Sequence, residues 1–562
     1  MLFPTCALIA SILVASAFGE FLQTPRHHDL PDLYEATFAE LQHGLDKGHY
    51  TSVDLVKAYF ARIEEVNKQG ANLSAIIQTS PVALDAAAHA DKLRKHGKAL
   101  GPLHGLPFVV KDNYDTQYED GMNTTAGSYA LINTHVQRDA YTIEKLKKAG
   151  AIILGKANLS QFAAWRGIVP NGWSAVGGQC YSPYYPQGMP GGSSSGSAVA
   201  TAIGLSAGAL GTDTAGSVVY PASYNNLVGV RPTVGLVSRA GLVPITEHYD
   251  TAGPHARTVT DAAHLLNVIA GPDRWDNWTL AQPEPLPDYT AGLSKHALRG
   301  VRLGVPWEKI GYSGAAAAGG NGLPESLNPI FYNALEVLKS LGAEIVDANI
   351  TDIDSLLWFD DGRASTYGAD FKWQLEAYFE GLLDNPSGVR SLEQLIAFNY
   401  DHPELEMPPT YESMSRMEAA LPYSRANASY LAIVSNDTFT AQQIIHDTKA
   451  KYNVSAFVFP SPQNAGWYKA MFPQVTVPMG FLPDDTVATP YLNTATVPPS
   501  NYSNIIYDPY PGKPHGLTFA STEWTEAQLL SYAYAFEQAT HVRLQKRAYA
   551  EAVPKTQLYD VL

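Results

Sequence analysis

Apolar residues recur every three or four positions in several stretches of the chain, which predicts amphipathic helices. The first is expected over Asp29–Leu45. A second begins at Thr51, where Thr51 and Asp54 have the spacing of a capping box. Later stretches with the same periodicity predict four more helices, over Ala140–Ala149, Thr258–Ala270, Pro329–Leu341 and Thr525–Val542. The last of these also has a capping-box pattern, from Thr525 to Gln528.

Short apolar runs between the helices predict buried strands. They lie at Phe108–Val110, Ala151–Leu154, Ala343–Val346, Ser455–Pro460 and Gln474–Val477. Gly150 and Gly342 each end a helix directly before a strand. This helix–glycine–strand order predicts an α/β sandwich built as one layered domain. Gly314–Gly322 is expected to be a mobile loop, and no element is predicted firmly over Thr351–Lys451.

Two hydroxyl-rich loops, Gly191–Ser197 and Gly211–Ser217, stand out from this pattern. Small residues join them over Ala198–Leu210, which predicts a tightly packed helix. Small residues allow backbones to approach closely and leave N–H groups free to face a ligand. The pair therefore suits a serine nucleophile with donors for an oxyanion. The alternative is a flexible Gly/Ser linker, which would not continue into an apolar run.

The chain has 562 residues and a formal net charge of -16. This acidic balance argues against nucleic acid or an anionic membrane as a main partner. Residues 1–17 resemble a signal peptide, with cleavage after Ala17 or, as a second choice, after Gly19. An uncleaved anchor is the alternative, but the apolar run is shorter than the ~20 residues of a membrane span. A secreted protein with no stable membrane anchor is therefore expected.

Cysteine and asparagine positions bear on that secretory prediction. Cys6 lies in the predicted signal, so the mature chain would keep Cys180 alone and form no internal disulfide. Seven Asn-x-Ser/Thr sequons are candidates for N-glycosylation, at Asn72, Asn277, Asn349, Asn427, Asn436, Asn453 and Asn501. Asn123 and Asn158 match the same pattern, but both are expected to lie in buried segments.

The sequence indicates no metal or nucleotide cofactor. Its histidines are scattered, and it contains no HExxH, P-loop or dinucleotide-binding glycine motif. One serine-hydrolase alternative takes Gly192–Gly196 as a GxSxG motif, with Ser194 as nucleophile and His515 as base. That motif requires a strand running into it, whereas three prolines lie in the preceding residues 181–190.

The other alternative uses Lys111, Ser193 and Ser217, and here the chain resembles the amidase signature family of Ser-Ser-Lys hydrolases. LHGLPFVVKDNYDT (103–116) is similar to the family segment around its catalytic lysine. GGSSSGSA and GTDTAGS are similar to its two serine loops, and Ser193 and Ser217 have the family spacing of 24 residues. Further similar segments extend the resemblance over roughly residues 33–545, most weakly between 351 and 451.

The resemblance implies a fold and three catalytic residues. The expected fold is α/β: a single large domain over residues 30–550, with a central mixed β-sheet covered by helices on both faces. Ser217 would be the nucleophile, and Ser193 a bridging serine with a cis peptide bond. Lys111 would be the terminal base, which requires burial or cationic neighbours to bring its pKa towards ~7–8. No cofactor is implied.

The resemblance also implies an oxyanion hole formed by the backbone N–H groups of Thr214, Ala215, Gly216 and Ser217. Asp213 is expected to support it, either as an acceptor that fixes the loop, which is preferred, or as a charge near Lys111. Ser194 is assigned at most a supporting role. Ala215 replaces a glycine that is usual in the family, which would narrow the site. Val219 replaces a frequent arginine, which places recognition of an anionic substrate through that position in doubt.

These expectations combine into a secreted amidase that hydrolyses a carboxamide of a small molecule or peptide through an acyl-enzyme. An acyl-transfer enzyme of a biosynthetic pathway shares the same residues and remains an alternative. A binding protein on an amidase scaffold is a third class, which the intact catalytic residues disfavour. Seven aromatic residues would line an apolar or aromatic acyl pocket or simply pack in the core, namely Trp165, Trp173, Tyr181, Tyr184, Tyr185, Trp358 and Phe359.

Overall fold

The structure is a computed structural model that describes residues 30–307, 310, 325–350, 364–426, 428–461, 466–491 and 505–562. The predicted signal peptide (1–17), the predicted loop at 314–322, the sequons at Asn427 and Asn501, and two aromatic candidates, Trp358 and Phe359, lie outside these residues. Secretion and glycosylation therefore stay predictions. Within the described ranges, no helix combines the length and the apolar character that crossing a membrane requires.

The described residues form strands and helices that alternate along most of the chain. The strands are β1 Ile76–Thr79, β2 Pro107–Lys111, β3 Ile152–Ala157, β4 Trp173–Ser174, β5 Gly178–Gln179, β6 Gly208–Asp213, β7 Val228–Arg231, β8 Thr251–Ala256, β9 Arg302–Val305, β10 Glu344–Asp347, β11 Ala456–Pro460, β12 Gln474–Phe481 and β13 Pro514–Ala520. The helices are α1 Phe38–Lys47, α2 Ser52–Val66, α3 Ala83–Lys95, α4 Tyr141–Lys148, α5 Ser195–Ala202, α6 Val219–Tyr224, α7 Val259–Ile269, α8 Asn328–Ser340, α9 Ala364–Gly381, α10 Leu392–Asp401, α11 Pro403–Glu406, α12 Ser415–Ala420, α13 Ala428–Tyr452 and α14 Glu526–Thr540.

Among the described residues, eleven of the strands form one mixed sheet in the order β1-β3-β2-β6-β8-β7-β12-β13-β11-β9-β10. Helices including α5, α7, α8 and α14 flank it, and the predicted α/β class with a single mixed sheet is confirmed. β2 runs parallel to both of its neighbours, β3 and β6. The carboxyl ends of these three strands therefore meet at one edge of the sheet, where ligands bind in open α/β sheets.

The predicted helix starts at Thr51, Ala140 and Thr258 agree with the structure, whereas the start of the first helix and the capping box of the last differ. α2 is capped by Thr51, whose side chain accepts from Asp54 N while the Asp54 carboxylate accepts from Thr51 N. α1 begins at Phe38 rather than near Asp29, because Thr37 forms a capping box with Glu40 there. The capping box predicted at Thr525 is wrong. Thr525 has φ -102 and ψ 15, whereas an N-cap side chain needs an extended backbone to reach the helix N–H groups.

The predicted helix over Ala198–Leu210 is also wrong in its second half. α5 ends at Ala202, and the chain reverses at Gly204, whose φ of +67 favours glycine. A side chain at Gly204 would also collide with the Leu33 carbonyl oxygen. The residues from Gly208 then form β6 in the centre of the sheet. The two serine loops are thus joined by a helix–turn–strand unit.

Residues 364–426, named the helical segment below, contain α9–α12 and fill much of the stretch that the sequence left unassigned. Phe371, Leu375 and Leu392 of this segment lie in a second apolar cluster, separate from the main core around the sheet. The C-terminal residues pack on the main core and not on the second cluster, since Leu558 is buried in the main core. The packed chain therefore continues past residue 550.

Candidate active site

Lys111 is the last residue of β2 and is fully buried. Its Nζ lies 2.8 Å from Ser193 Oγ, 2.8 Å from Thr212 Oγ1 and 3.2 Å from the Thr212 carbonyl oxygen. Burial lowers the pKa of Lys111 to about 7, although the nearby carboxylates of Asp213 and Asp250 act to raise it. The side chain can therefore lose its proton near neutral pH, as a general base must.

Ser193 lies in the loop that precedes α5, and the Gly192–Ser193 peptide bond is cis, as the resemblance implies. The Ser193 carbonyl oxygen accepts from Ser160 N at 3.0 Å. On the other side, Ser194 N donates to the Ser217 carbonyl oxygen at 3.3 Å. The two serine loops thus lie against each other. Within the described ranges no hydrogen bond joins Ser193 Oγ to Ser217 Oγ.

Ser217 follows β6 in a loop and is only half-buried, unlike Lys111 and Ser193. The N–H groups of Thr214 and Ser217 donate to no acceptor in the part of the chain that the structure describes. The Gly216 N–H differs from the expectation, because it donates to Asp213 Oδ1 at 2.7 Å. Gly216 is therefore not an available oxyanion donor in this arrangement, which is a correction to the predicted set.

Asp213 has the arrangement expected of an acceptor that fixes the loop. Its two carboxylate oxygens accept from Gly216 N and Val218 N, each at 2.7 Å, on either side of Ser217. Arg231 Nη1 donates to the same carboxylate at 2.5 Å, and both side chains are fully buried. This pair was not predicted, although Arg231 ends the apolar run that forms β7.

Thr212, Asn113 and Asp250 complete the surroundings of Lys111 and were missed at the sequence level. Asn113 Nδ2 donates to Thr212 Oγ1 at 3.0 Å and so fixes the group that contacts the lysine. Asp250 accepts from Thr214 Oγ1 at 2.6 Å and ties the serine loop to the start of β8. Thr212 and Asn113 each lie within two residues of a predicted catalytic or supporting residue. Their closeness in sequence to those residues could have identified them.

Two alternatives from the sequence do not fit the structure. Ser194 Oγ donates to the Thr212 carbonyl oxygen at 3.1 Å and accepts from Thr212 N at 3.2 Å, so it supports the loop and is not a nucleophile. The hydrogen bond of His515 Nδ1 goes to the Ser461 carbonyl oxygen, not to Ser194. The linker alternative is also wrong, because residues 191–197 are buried throughout.

Carboxylates of the helical segment hold the loops around the site. Asp370 of α9 accepts from Thr246 Oγ1 at 2.6 Å and lies 2.7 Å from His248 Nδ1. Glu247 is close to this group, and its carboxylate pairs with Arg425. These contacts connect the loop before β8 to the helical segment and account for the clustering of acidic and histidine side chains.

The aromatic candidates within the described residues mainly pack in the interior. Trp165 stacks on Tyr367 in the second apolar cluster, and Ala215 of the nucleophile loop packs against that cluster. Trp173 stacks on Tyr411 with ring centroids 4.6 Å apart. Tyr185 stacks on Tyr510, Tyr184 is buried, and Tyr181 packs on the main core. The Trp165 cluster is therefore the aromatic group that reaches the predicted catalytic loop.

Comparison with known proteins identifies the family and the fold. The family model for amidases matches residues 54–530. A putative amidase of Arthroderma benhamiae is 38% identical, over 96% of this chain and 90% of the relative. The structure of the native peptide amidase from Stenotrophomonas maltophilia is 34% identical, with a TM-score of 0.78, over 93% of this chain and 99% of that one. A complex of the peptide amidase PAM with the competitive inhibitor chymostatin has a TM-score of 0.77, with 34% identity over 92% of this chain and 99% of that one. The chain therefore belongs to the amidase signature family and is an amidase.

Proposed function

We propose that the protein hydrolyses the C–N bond of a linear carboxamide through an acyl-enzyme on Ser217, with Ser193 and Lys111 as the proton relay. The observation that carries the proposal is the buried Lys111, whose pKa is lowered to about 7 and whose Nζ lies 2.8 Å from Ser193 Oγ. A lysine in this state is a base, whereas an exposed lysine would stay protonated.

The contacts of Lys111 can all be formed by the neutral amine, which the lowered pKa of about 7 makes available. A neutral amine has two N–H donors and one lone pair, while a charged ammonium has three donors. The Thr212 carbonyl oxygen and Thr212 Oγ1 provide two acceptors. The lone pair then remains for the Ser193 hydroxyl proton. In this assignment the Ser193 hydroxyl donates its hydrogen bond to Lys111 Nζ, as transfer of a proton to the lysine requires.

In the proposed reaction, Ser217 Oγ attacks the amide carbonyl carbon and its proton moves to Ser193, whose own proton moves to Lys111. This step requires Ser217 Oγ and Ser193 Oγ to come within hydrogen-bonding distance when substrate binds, since such contacts are often longer in unliganded enzymes. The relay then runs backwards and protonates the leaving nitrogen as the C–N bond breaks. Water repeats the cycle on the acyl-enzyme and releases the acid.

The N–H groups of Ser217 and Thr214 are the proposed oxyanion donors. Loss of one such donor typically costs ~10²–10³ in rate. In this proposal Asp213 keeps the donors in place by holding Gly216 N and Val218 N. A peptide or small-molecule amide is the proposed substrate class, because the similar peptide amidase covers nearly the whole chain.

The test is hydrolysis of amides, amidated peptides and esters by purified protein, with Ser217→Ala as the control. We expect release of ammonia or amine from at least one amide, and a loss of about 10⁴–10⁶-fold in kcat for Ser217→Ala. Mass spectrometry should detect a serine-directed fluorophosphonate on Ser217. Unchanged hydrolysis by the Ser217→Ala variant would contradict the assigned nucleophile.

A further inference from the structure

We propose that Glu406 of the helical segment is a positioning residue for the amide hydrolysis, acting on Ser193 through Gln161 and Ser160. The inference rests on the proposed function, because it names a residue that supports the same site. Glu406 ends the short helix α11, far in sequence from every catalytic candidate, and is fully buried. A buried carboxylate without partners would be costly, so its partners indicate its role.

Glu406 joins three segments of the chain that surround the site. Its Oε1 accepts from Ser128 Oγ at 2.8 Å and from Tyr129 N at 2.7 Å, in the loop that follows β2. Its Oε2 accepts from Gln161 Nε2 at 2.6 Å, in the turn that follows β3. One carboxylate therefore ties the helical segment to the loops after two of the strands that end at the active site.

The turn that begins at Gln161 is unusual. Phe162, Ala163 and Ala164 have φ of 49, 52 and 73, three successive non-glycine residues in the left-handed region. A non-glycine residue in this region is strained and persists only where the surroundings enforce it. Ser160, next to Gln161, donates its N–H to the Ser193 carbonyl oxygen at 3.0 Å. A single hydrogen bond therefore connects the start of the turn to the bridging serine, Ser193.

The polarity of the hydrogen bonds requires a carboxylate at position 406. Gln161 cannot rotate its amide freely, because its Oε1 accepts from Arg166 Nη1 at 2.9 Å while its Nε2 donates to Glu406. Arg166 is buried and lies over the Trp173 ring, so it has little freedom to move. A glutamine at 406 would place its NH₂ against the Gln161 NH₂ or against Tyr129 N. The glutamine side chain would keep the shape of the glutamate but would place two hydrogen-bond donors against each other.

The experiment is a polarity swap between positions 406 and 161, with kcat, KM and the melting temperature measured for each variant. We expect Glu406→Gln to lower kcat about 10- to 100-fold with little change in KM, because a misplacement of a catalytic group by about 1 Å can cost about 100-fold. In the double variant Glu406→Gln with Gln161→Glu, the new carboxylate at 161 would accept from both Arg166 and the amide at 406. We therefore expect it to recover most of the lost kcat, a coupling that the double-mutant cycle measures.

Glu393→Gln is the matched control, since Glu393 lies in the same helical segment but is an exposed partner of Lys372. It should leave kcat unchanged. Titration of Ser217 with a fluorophosphonate gives the number of folded sites, so that kcat is expressed per site. If Glu406→Gln does not fold, the double variant against wild type remains the test.

Two results would overturn the inference: full kcat per site in Glu406→Gln, which includes a loss explained wholly by fewer folded sites, or no recovery of kcat in a folded double variant. An inactive wild type, or an active Ser217→Ala variant, would instead remove the proposed function on which the inference rests. The two failures are therefore distinguishable.

Discussion

The loop region, which comprises the two serine loops (191–197 and 211–217) and the ends of β2 and β7 beside them, differs from the helical segment in how its side chains contribute to the site. The loop region supplies the groups proposed to react, Lys111 at the end of β2 and Ser193 and Ser217 in the serine loops. The helical segment supplies Asp370, Tyr378 and Glu406, single residues that hold the loops by buried or half-buried hydrogen bonds.

This difference shows what a motif can and cannot indicate. Groups that react with substrate lie on a few loops with demanding backbones, so their sequences are recognisable in isolation. Groups that hold those loops need only reach a donor from any direction, and many helices can place a carboxylate there. The comparison predicts that changes in the loop region affect activity most strongly, while changes in the helical segment have smaller effects.

The largest effect on stability is expected for Arg231→Met in the loop region. Removal of one partner from a buried ion pair costs about 3–5 kcal/mol, because Asp213 would remain charged and buried. The nucleophile loop would lose its fixed geometry at the same time, so kcat should fall too. Urea unfolding and amide hydrolysis measure the two effects.

Arg547→Met is the matched control for that variant, since Arg547 is half-exposed and pairs with Asp32 at the surface. An exposed pair contributes about 0–1 kcal/mol. If Arg231→Met were as stable and as active as Arg547→Met, the role assigned to the Asp213–Arg231 pair would be wrong.

A smaller and pH-dependent effect is expected for Tyr378→Phe in the helical segment. The Tyr378 hydroxyl donates to Asp115 Oδ1 at 2.8 Å, while burial raises the pKa of Asp115 and this hydrogen bond lowers it. Loss of the donor should cost about 1.5 kcal/mol when the carboxyl is ionised. The hydrogen bond from Tyr378 stabilises a protonated Asp115 less than an ionised one. The decrease in the free energy of unfolding caused by Tyr378→Phe should therefore be larger at pH 8 than at pH 5. Equal losses at both pH values would contradict this account of the contact.

The sequence predicted the α/β class and the contact between Lys111 and Ser193, because periodicity and short motifs act locally. α2 and its capping box at Thr51 illustrate this. The prediction over Ala198–Leu210 failed because small apolar residues suit a helix and a buried strand equally, and only the reversal at Gly204 separates them. β13 was missed because its residues 514–520 include Pro514, His515 and Gly516, which do not form an apolar run.

The supporting residues could not be predicted for a different reason. Glu406 and Gln161 are 245 positions apart, and nothing near either residue indicates the other. The Gly216 N–H was assigned to the oxyanion hole because its position in the motif is right, yet the neighbouring Asp213 carboxylate takes that donor. Competition between partners of this kind depends on side-chain directions that the sequence does not specify.

The central claim is that a neutral Lys111 activates Ser217 through Ser193, and the pH dependence of Ser217 labelling tests it most directly. The rate of fluorophosphonate labelling at Ser217 would be followed by mass spectrometry in wild type and Lys111→Met. Because burial lowers the pKa of Lys111 to about 7, the neutral fraction increases as pH rises through that value. We expect the wild-type rate to rise with an inflection near pH 7, and Lys111→Met to react slowly without it. The same inflection in Lys111→Met would contradict the account.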